Sequence, residues 1–276
     1  RRLRQIKRDE LAEERTKVNQ DKVDDVMNKI VNEHKDVFGG IGQYKGDPVQ
    51  IQMAEDIKPV IQAPRRIPLH YMEPLKQHLE EMVLNDVIEG PLKEEEKGSW
   101  ISNLVITDKK WDEGKPGERQ QIRANLDLRP LNKHVYQTHE PIPTPEELKH
   151  KLKGSDRFSA LDMVHSFHQF VLEDKARKLF TCRTPWGLYR YKRLVMGNSP
   201  ASSECHRRVR AVLAGLDGVA QIKDDVLVYG KGKQHDERLK ATLGRFLEAG
   251  LTLRREKCHL GQQEVKWFGN IFSQEG

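Results

Sequence analysis

Aspartate interrupts two apolar segments of the chain, and this feature restricts the fold more than any other. Asp224 and Asp225 separate two apolar runs, and Asp162 follows directly on a third. Ionised carboxylates beside buried strands are costly to desolvate unless a positive charge binds them. The pattern predicts a β-hairpin with the acid pair at its turn, and a further strand that ends in an acid.

These aspartates have two readings. Carboxylates that meet at one edge of a sheet form an all-oxygen site for a hard divalent ion. Two such ions can hold an attacking hydroxyl, a phosphate and a leaving pyrophosphate in line. In the other reading, Asp224 and Asp225 are ordinary turn residues, and Asp162 is an N-cap or an edge charge. The aspartates alone leave both readings open.

The other elements predicted along the chain are short helices and strands in mixed order. We expect a charged helix before Gly39, a helix from Met72 that ends before Gly90, and a capped helix after Thr144. A further helix should follow Pro200 and another should end before Gly250. The predicted strands are 101–107, 121–128, 157–163, 178–183 and 188–195, the first two joined by a projecting hairpin with a basic tip. This order predicts an α+β fold with an antiparallel sheet backed by helices.

Composition excludes several classes of protein. The 276 residues include 48 Lys and Arg against 42 Asp and Glu, a net charge of +6. No apolar run approaches the roughly 18 residues that cross a bilayer, so we expect no membrane association. Cys182, Cys205 and Cys258 have no CxxC spacing, which predicts neither a zinc site nor a disulfide framework.

The positive charge is concentrated between residues 175 and 215. This segment has ten basic residues and one acidic residue, Glu204, and it also contains four aromatic residues. Basic residues interleaved with aromatic ones suit a phosphate backbone with stackable bases. We therefore expect Arg207 and Arg208 to contact a nucleic-acid backbone, which the resemblance described below implies is that of a template or primer. An ordinary solvated face with core aromatics is the alternative.

Several separated blocks of this sequence resemble, in order and spacing, the reverse transcriptase of gypsy-type LTR retrotransposons. The resemblance covers about residues 58–276. The blocks are Trp100–Ser102, Lys109–Lys110, Arg123, Leu126–Lys133, Phe158–Gln169, Gly187–Leu194, Ile222–Gly230, Gly250–Leu253, Glu256–Cys258 and Val265–Gly269.

The resemblance implies a right-hand polymerase that contains fingers and palm. Its expected divisions are a charged helical segment and linker at 1–57, fingers with the start of the palm at 58–155, and palm to primer grip at 156–276. The thumb, connection and RNase H regions of a longer polyprotein are expected to lie outside this chain. The implied activity is RNA-directed DNA polymerisation, which adds dNTPs to a primer on an RNA or DNA template with two Mg²⁺ ions, or with Mn²⁺ in their place. The implied location is a cytoplasmic virus-like particle.

The resemblance also implies roles for particular residues. Asp162, Asp224 and Asp225 are the expected catalytic, metal-binding aspartates, and Phe167 is the expected steric gate beneath the sugar. The other residues implied in nucleotide binding are Lys109, Lys110, Arg123, Met163, Val164, His165 and Met196. Trp267, Phe268 and Gly269 form the implied primer grip. Without the resemblance, Phe167 and Trp267 read as core packing, and the basic residues read as solvated surface.

Three departures from the family pattern alter the surroundings of these residues. Asn103 replaces a usual proline, Lys223 places a cation beside the aspartate pair, and Met196 stands where a phenylalanine is usual. They leave open a catalytically weak or domesticated nucleic-acid-binding domain. A metal-dependent nuclease would need further acidic or histidine ligands near the pair, and the blocks supply none.

Overall fold

The computed structural model describes residues 22–96, 98–108, 122–137, 140–141, 143–267 and 269–274. The predicted basic hairpin tip with Lys109 and Lys110, the first part of the N-terminal helix, and Phe268 lie outside these residues. The chain divides into two compact units that interleave along the sequence. The first contains the described residues of 22–40, 143–164 and 210–274, and the second those of 41–141 and 165–209. The predicted division at residues 57 and 155 stays a prediction.

Seven helices and eleven strands are named here from the described residues. The helices are α1 (22–33), α2 (Met72–Leu84), α3 (Arg129–Asn132), α4 (Pro145–Leu152), α5 (Asp174–Arg177), α6 (Ala201–Val212) and α7 (Gly232–Ala249). The strands are β1 (Ile88–Glu89), β2 (Ile101–Asp108), β3 (Ile122–Leu126), β4 (Arg157–Leu161), β5 (Thr181–Thr184), β6 (Gly187–Tyr191), β7 (Val219–Ile222), β8 (Asp225–Gly230), β9 (His259–Gln262), β10 (Glu264–Trp267) and β11 (Asn270–Ser273). No helix in the described ranges is long and apolar enough to cross a bilayer.

The first unit is built on a four-stranded antiparallel sheet in the order β7-β8-β4-β9. Helix α7 packs against β8 and β4. Leu148 and Leu152 of α4 share a core with Phe158 of β4 and with Trp267 and Phe272 of the β10–β11 hairpin. This arrangement confirms the predicted α+β class, an antiparallel sheet backed by helices.

The second unit contains a five-stranded sheet in the order β1-β6-β5-β2-β3. Its β2–β3 and β5–β6 pairs are antiparallel hairpins, as the sequence predicts. Strands β2 and β5 pair in parallel, with Ile101 opposite Thr181 and Asn103 opposite Arg183. The hairpins are therefore joined into one sheet through a pairing between residues far apart in the sequence.

Local sequence signals account for several helix ends. The Thr144 side chain accepts a hydrogen bond from the Glu147 backbone N–H, and the Glu147 side chain accepts one from the Thr144 backbone, which is the predicted capping box. Gly250 ends α7 in the left-handed region at φ 75°, a conformation that favours glycine. Helix α2 ends at Leu84, so Gly90 lies beyond its end, as the sequence predicts.

A buried hydrogen-bond network ties β4 to α7 and β9. Ser159 Oγ lies 2.9 Å from His235 Nε2 and accepts the Gly261 N–H at 2.9 Å. His235 Nδ1 lies 3.1 Å from an Asp236 carboxylate oxygen, which also accepts from Arg157 at 2.9 Å. Burial lowers the pKa of His235, although Asp236 opposes this shift. With Ser159 and His235 both fully enclosed, this Ser–His–Asp chain is a structural brace on the strand that leads to Asp162.

We predict that Ser159→Ala lowers the free energy of unfolding by about 1–3 kcal/mol, because it leaves the Gly261 N–H and His235 Nε2 buried without a partner. Urea denaturation followed by circular dichroism at pH 7 measures the change. Ser99→Ala, at an exposed serine, is the control and should change stability little. Equal effects of the two substitutions would contradict the bracing role.

Candidate active site

The register of β4 against β8 brings two of the three predicted aspartates together. Ala160 pairs with Leu227 and Leu161 pairs with Val226. Continuing this antiparallel register by one residue puts Asp162 opposite Asp225, on the face that carries Ala160 and Leu227. Asp224 precedes Asp225 in the β7–β8 turn. All three aspartates therefore lie at one end of the central strand pair.

The backbone of Asp162 is held by the segment that precedes β9. Its carbonyl accepts the Arg254 N–H at 2.8 Å, and its own N–H points at Cys258 Sγ at 3.4 Å. Cys258 is buried, and burial raises the pKa of its thiol to about 11, so the sulfur stays neutral. Glu256–Cys258 is one of the blocks that resemble the family, but the resemblance gives Cys258 no role. In the structure, Cys258 helps to fix the Asp162 peptide.

The turn that carries the aspartate pair is tight. Ile222 pairs with Asp225, which leaves Lys223 and Asp224 as the turn residues. Lys223 has φ 55°, a left-handed conformation that is uncommon outside glycine, asparagine and aspartate. Its carbonyl accepts a hydrogen bond of 2.7 Å from the Gln221 side chain. The lysine that departs from the family pattern thus lies in the turn itself.

Electrostatics couple the three aspartates. Partial desolvation raises the pKa of Asp225, the negative charges of Asp224 and Asp162 raise it further, and Lys223 lowers it. The carboxylates therefore repel one another at this end of the sheet. Among the residues that the structure describes, no three His, Cys, Asp or Glu side chains are grouped to hold a metal ion as they stand. The donors are the hard oxygens that Mg²⁺ prefers, and their mutual repulsion favours binding of a cation.

The residues after Asp162 differ in exposure and in the unit to which they belong. Met163 and Val164 are buried in the first unit, and Met163 forms an isolated antiparallel bridge with Leu253. His165, in the second unit, is exposed with φ 42°. Phe167 follows in a short 3₁₀ helix, Ser166–Gln169, and is half-buried. A half-buried ring fits the sugar-gate expectation better than the fully enclosed core reading.

Other predicted nucleotide and primer residues differ in exposure. Arg123 on β3 and Met196 are exposed in the second unit. Trp267 is only 5% exposed and packs against Phe272 with ring centroids 6.3 Å apart. Gly269 has φ 77° in the turn between β10 and β11. The Trp267 ring is part of the core, so a primer contact at this hairpin would have to come from other residues.

The two predicted backbone-binding arginines of α6 also differ. Arg208 is 7% exposed and donates to the carbonyls of Asp47 and Pro48 and to the Glu204 carboxylate. Arg207 also pairs with Glu204, at 2.8 Å, but keeps half of its side-chain surface. Arg208 is thus held by hydrogen bonds within the second unit, and Arg207 is the one of these two arginines that can reach a phosphate.

An antiparallel sheet backed by helices, with carboxylates at the end of its central strands, is the architecture of a nucleic-acid polymerase palm. Residues 109–272 match the family model described as reverse transcriptase (RNA-dependent DNA polymerase). The chain belongs to this family, and the predicted class of function is confirmed at that level.

Curated relatives are retrotransposon proteins and an uncharacterised one. The chain is 23% identical over 261 residues to the retrovirus-related Pol polyprotein from transposon 412 of Drosophila melanogaster, which covers 91% of this chain and 20% of that protein. It is 26% identical over 244 residues to the uncharacterized protein K02A2.6 of Caenorhabditis elegans, covering 88% of this chain and 18% of the relative. The chain therefore spans about a fifth of the length of these proteins.

The fold is also that of solved reverse transcriptases. The foamy viral protease-reverse transcriptase in complex with an RNA/DNA hybrid superposes with a TM-score of 0.77 at 18% identity. The match covers 92% of this chain and 33% of that one. At this identity the likeness establishes the shared fold.

We predict that Asp225→Asn raises the melting temperature in metal-free buffer at pH 7 by about 2 °C, because it removes a carboxylate that is partly desolvated and repelled by its neighbours. A raised carboxyl pKa means that the folded state binds more protons, so desolvation and repulsion cost stability above that pKa, and the cost disappears as the pH falls toward the ordinary 3.8. The advantage of the variant should therefore vanish in acid. Differential scanning fluorimetry between pH 3.5 and 8 measures this.

The control for this prediction is Asp217→Asn, at an exposed aspartate of the same unit. An equal or larger gain from Asp217→Asn, or a gain from Asp225→Asn that persists unchanged at pH 3.5, would show that repulsion among the three carboxylates is not the cause.

Proposed function

We propose that this chain is the fingers-and-palm part of a gypsy-type retrotransposon reverse transcriptase, with divisions near residues 58 and 156. It adds dNTPs to a primer annealed to an RNA or DNA template. The single observation that supports this most is the β4–β8 register, which makes Asp162 and Asp225 neighbours beside Asp224. Membership of the reverse transcriptase family gives that cluster its chemical context.

Asp162, Asp224 and Asp225 are the residues that would hold two divalent ions. Mg²⁺ is the proposed ion and Mn²⁺ its substitute, since both favour carboxylate oxygen. When bound, such ions lower the pKa of a primer hydroxyl and neutralise charge on the triphosphate. The protein itself contributes the placement of the carboxylates, and the Arg254 and Cys258 contacts fix the Asp162 backbone.

The remaining nucleotide contacts are assigned by exposure. Arg123 is exposed on β3 and is proposed to bind the triphosphate together with Lys109 and Lys110. The backbone of Met163, Val164 and His165 is proposed to receive the triphosphate. Met196 is proposed to form the surface beneath the base, because 54% of this residue is exposed. Trp267, Phe268 and Gly269 are proposed as the primer grip, with Trp267 acting as its buried support.

The proposed polyprotein context of this chain is taken from its retrotransposon relatives. The proposed enzyme is part of a longer polyprotein, with thumb, connection and RNase H regions supplied by that polyprotein. We propose that it works in a cytoplasmic particle.

A second candidate is a nucleic-acid-binding domain with weak catalysis, and the observation that favours it is Lys223. This residue shares the turn with Asp224, and its charge lowers the pKa of Asp225, so it competes with a metal for the same carboxylates. Primer extension on an RNA template with Mg²⁺ or Mn²⁺ separates the two candidates. Extension supports the polymerase, and template binding without extension supports the second candidate.

We predict that Asp162→Asn or Asp224→Asn lowers primer extension on the order of a hundredfold or more and leaves template–primer affinity largely intact. The reason is that carboxylates carry the metals, whereas basic residues carry the nucleic acid. Steady-state extension and fluorescence polarisation measure the two effects, with Asp217→Asn as the control. Parallel loss of extension and binding would argue against this division of roles.

We predict that Phe167→Val raises the incorporation of ribonucleotides relative to deoxynucleotides, because a smaller side chain admits a 2′-hydroxyl. Single-nucleotide incorporation with each sugar measures the ratio. Phe38→Val, at another half-buried phenylalanine, should cost roughly 1–3 kcal/mol of stability and leave the ratio unchanged. If Phe167→Val behaves like this control, Phe167 is a packing residue.

A further inference from the structure

Most arginines of the predicted nucleic-acid segment are engaged inside the second unit. Arg190 pairs with Glu89 at 2.7 Å. Arg193 is 4% exposed and donates to backbone carbonyls and to Asp86. Arg208 is tied as described above. Guanidinium groups held by such partners are poorly placed to release counterions from a phosphate backbone, so phosphate binding in this unit needs further cations beside the half-exposed Arg207.

A cavity of about 290 Å³ in the same unit supplies them. Its basic lining residues are Arg65, Arg66 and Arg183, and none of the lining residues that the structure describes carries a carboxylate. Arg65 also contacts Asp127 at 3.3 Å, but that carboxylate is already held in two hydrogen bonds of 2.7 Å by Arg129. The cavity is therefore strongly positive.

Arg183 adds a second, independent observation. Its Nε is buried and has no hydrogen-bond partner among the residues that the structure describes. A buried donor without an acceptor is destabilising, and such groups are rare in folded proteins. A bound anionic oxygen would satisfy this donor once the Arg183 side chain turns its Nε–H toward the cavity.

Asn103 fixes the position of the segment 62–66, which carries Arg65 and Arg66. Its side-chain amide donates to the Ala63 carbonyl at 2.7 Å, and its backbone N–H donates to the Gln62 side chain at 3.1 Å. Proline, the usual family residue here, has neither donor. This departure from the family pattern therefore fastens the segment 62–66 to β2.

We propose that Arg65, Arg66 and Arg183 form a phosphate-binding pocket for a nucleic-acid strand, with Asn103 as its positioning residue. Arginine presents a planar set of donors that suits phosphate oxygens. Apolar neighbours in the lining, Ile67, Met72 and Leu104, suit the sugar and base faces of a strand. A nucleoside triphosphate would arrive with a divalent ion that needs oxygen ligands, and the lining offers no carboxylate. The inference deepens the proposed function and rests on it.

The test measures binding of a fluorescent template–primer with a single-stranded 5′ overhang, without dNTPs, over a range of salt concentrations. Arg66→Gln and Arg183→Gln should each weaken binding about three- to tenfold and reduce the log–log salt slope by about 0.7–0.9. Lys45→Gln, at an exposed lysine of the same unit that does not line the cavity, should leave the slope unchanged.

Asn103→Ala is the sharper variant because it removes no charge. It should also reduce the salt slope, because the segment that carries Arg65 and Arg66 loses its hydrogen bond from the Asn103 side chain. A slope equal to that of the unaltered protein would overturn the positioning role of Asn103. Melting curves accompany every variant, and Arg66→Gln, at an exposed residue, keeps the test valid if Arg183→Gln fails to fold. Slopes unaltered in Arg66→Gln and in a folded Arg183→Gln would overturn the pocket.

Inorganic tripolyphosphate distinguishes the source of the phosphate. The proposal expects that it displaces the template–primer no better than sulfate at equal ionic strength. Specific displacement that is lost in Arg66→Gln would instead make this a triphosphate site and overturn the strand assignment. Primer extension by the unaltered protein is measured separately at saturating template–primer. Its absence counts against the proposed function, while the salt slopes still report on the pocket.

Discussion

The pairing of β4 with β8 is the contact on which the chemistry of this protein depends. It sets like charges side by side at the end of an otherwise apolar strand pair, so the fold must hold Asp162 and Asp225 against their repulsion. The buried strand residues, the Ser159–His235 brace and the Arg254 and Cys258 contacts to the Asp162 backbone all act on the same short segment. Repulsion within the acidic cluster costs stability, and the same repulsion favours binding of a cation.

The distribution of arginines follows a second constraint. A segment with ten basic residues suggests a continuous track for nucleic acid, yet a buried guanidinium needs acceptors. Arg193 and Arg208 satisfy theirs with carbonyls and carboxylates of the second unit, which makes them structural residues. Arg207 stays half exposed, and the proposed pocket takes Arg65 and Arg66 from outside the basic segment. Charge density along the sequence therefore does not identify which arginines are available to a ligand.

Local signals in the sequence were sufficient for much of the fold. The capping box at Thr144, the glycine that ends α7, and the aspartate pair at a hairpin turn all depend on residues within a few positions of one another. The parallel pairing of β2 with β5 and the register of β4 against β8 depend on residues far apart, which no local pattern specifies. For the same reason the sequence left Phe167 and Trp267 open between packing and function, and it gave no sign that Asn103 fastens a neighbouring segment.

Direct measurement of metal binding tests whether Asp162, Asp224 and Asp225 form one cation site. Electron paramagnetic resonance counts free Mn²⁺ during titration of the protein without nucleic acid or nucleotide. We expect saturable binding that Mg²⁺ displaces and that Asp162→Asn and Asp225→Asn each weaken by at least about tenfold, whereas Asp217→Asn does not. Binding of equal strength in all four proteins would contradict a site shared by these carboxylates.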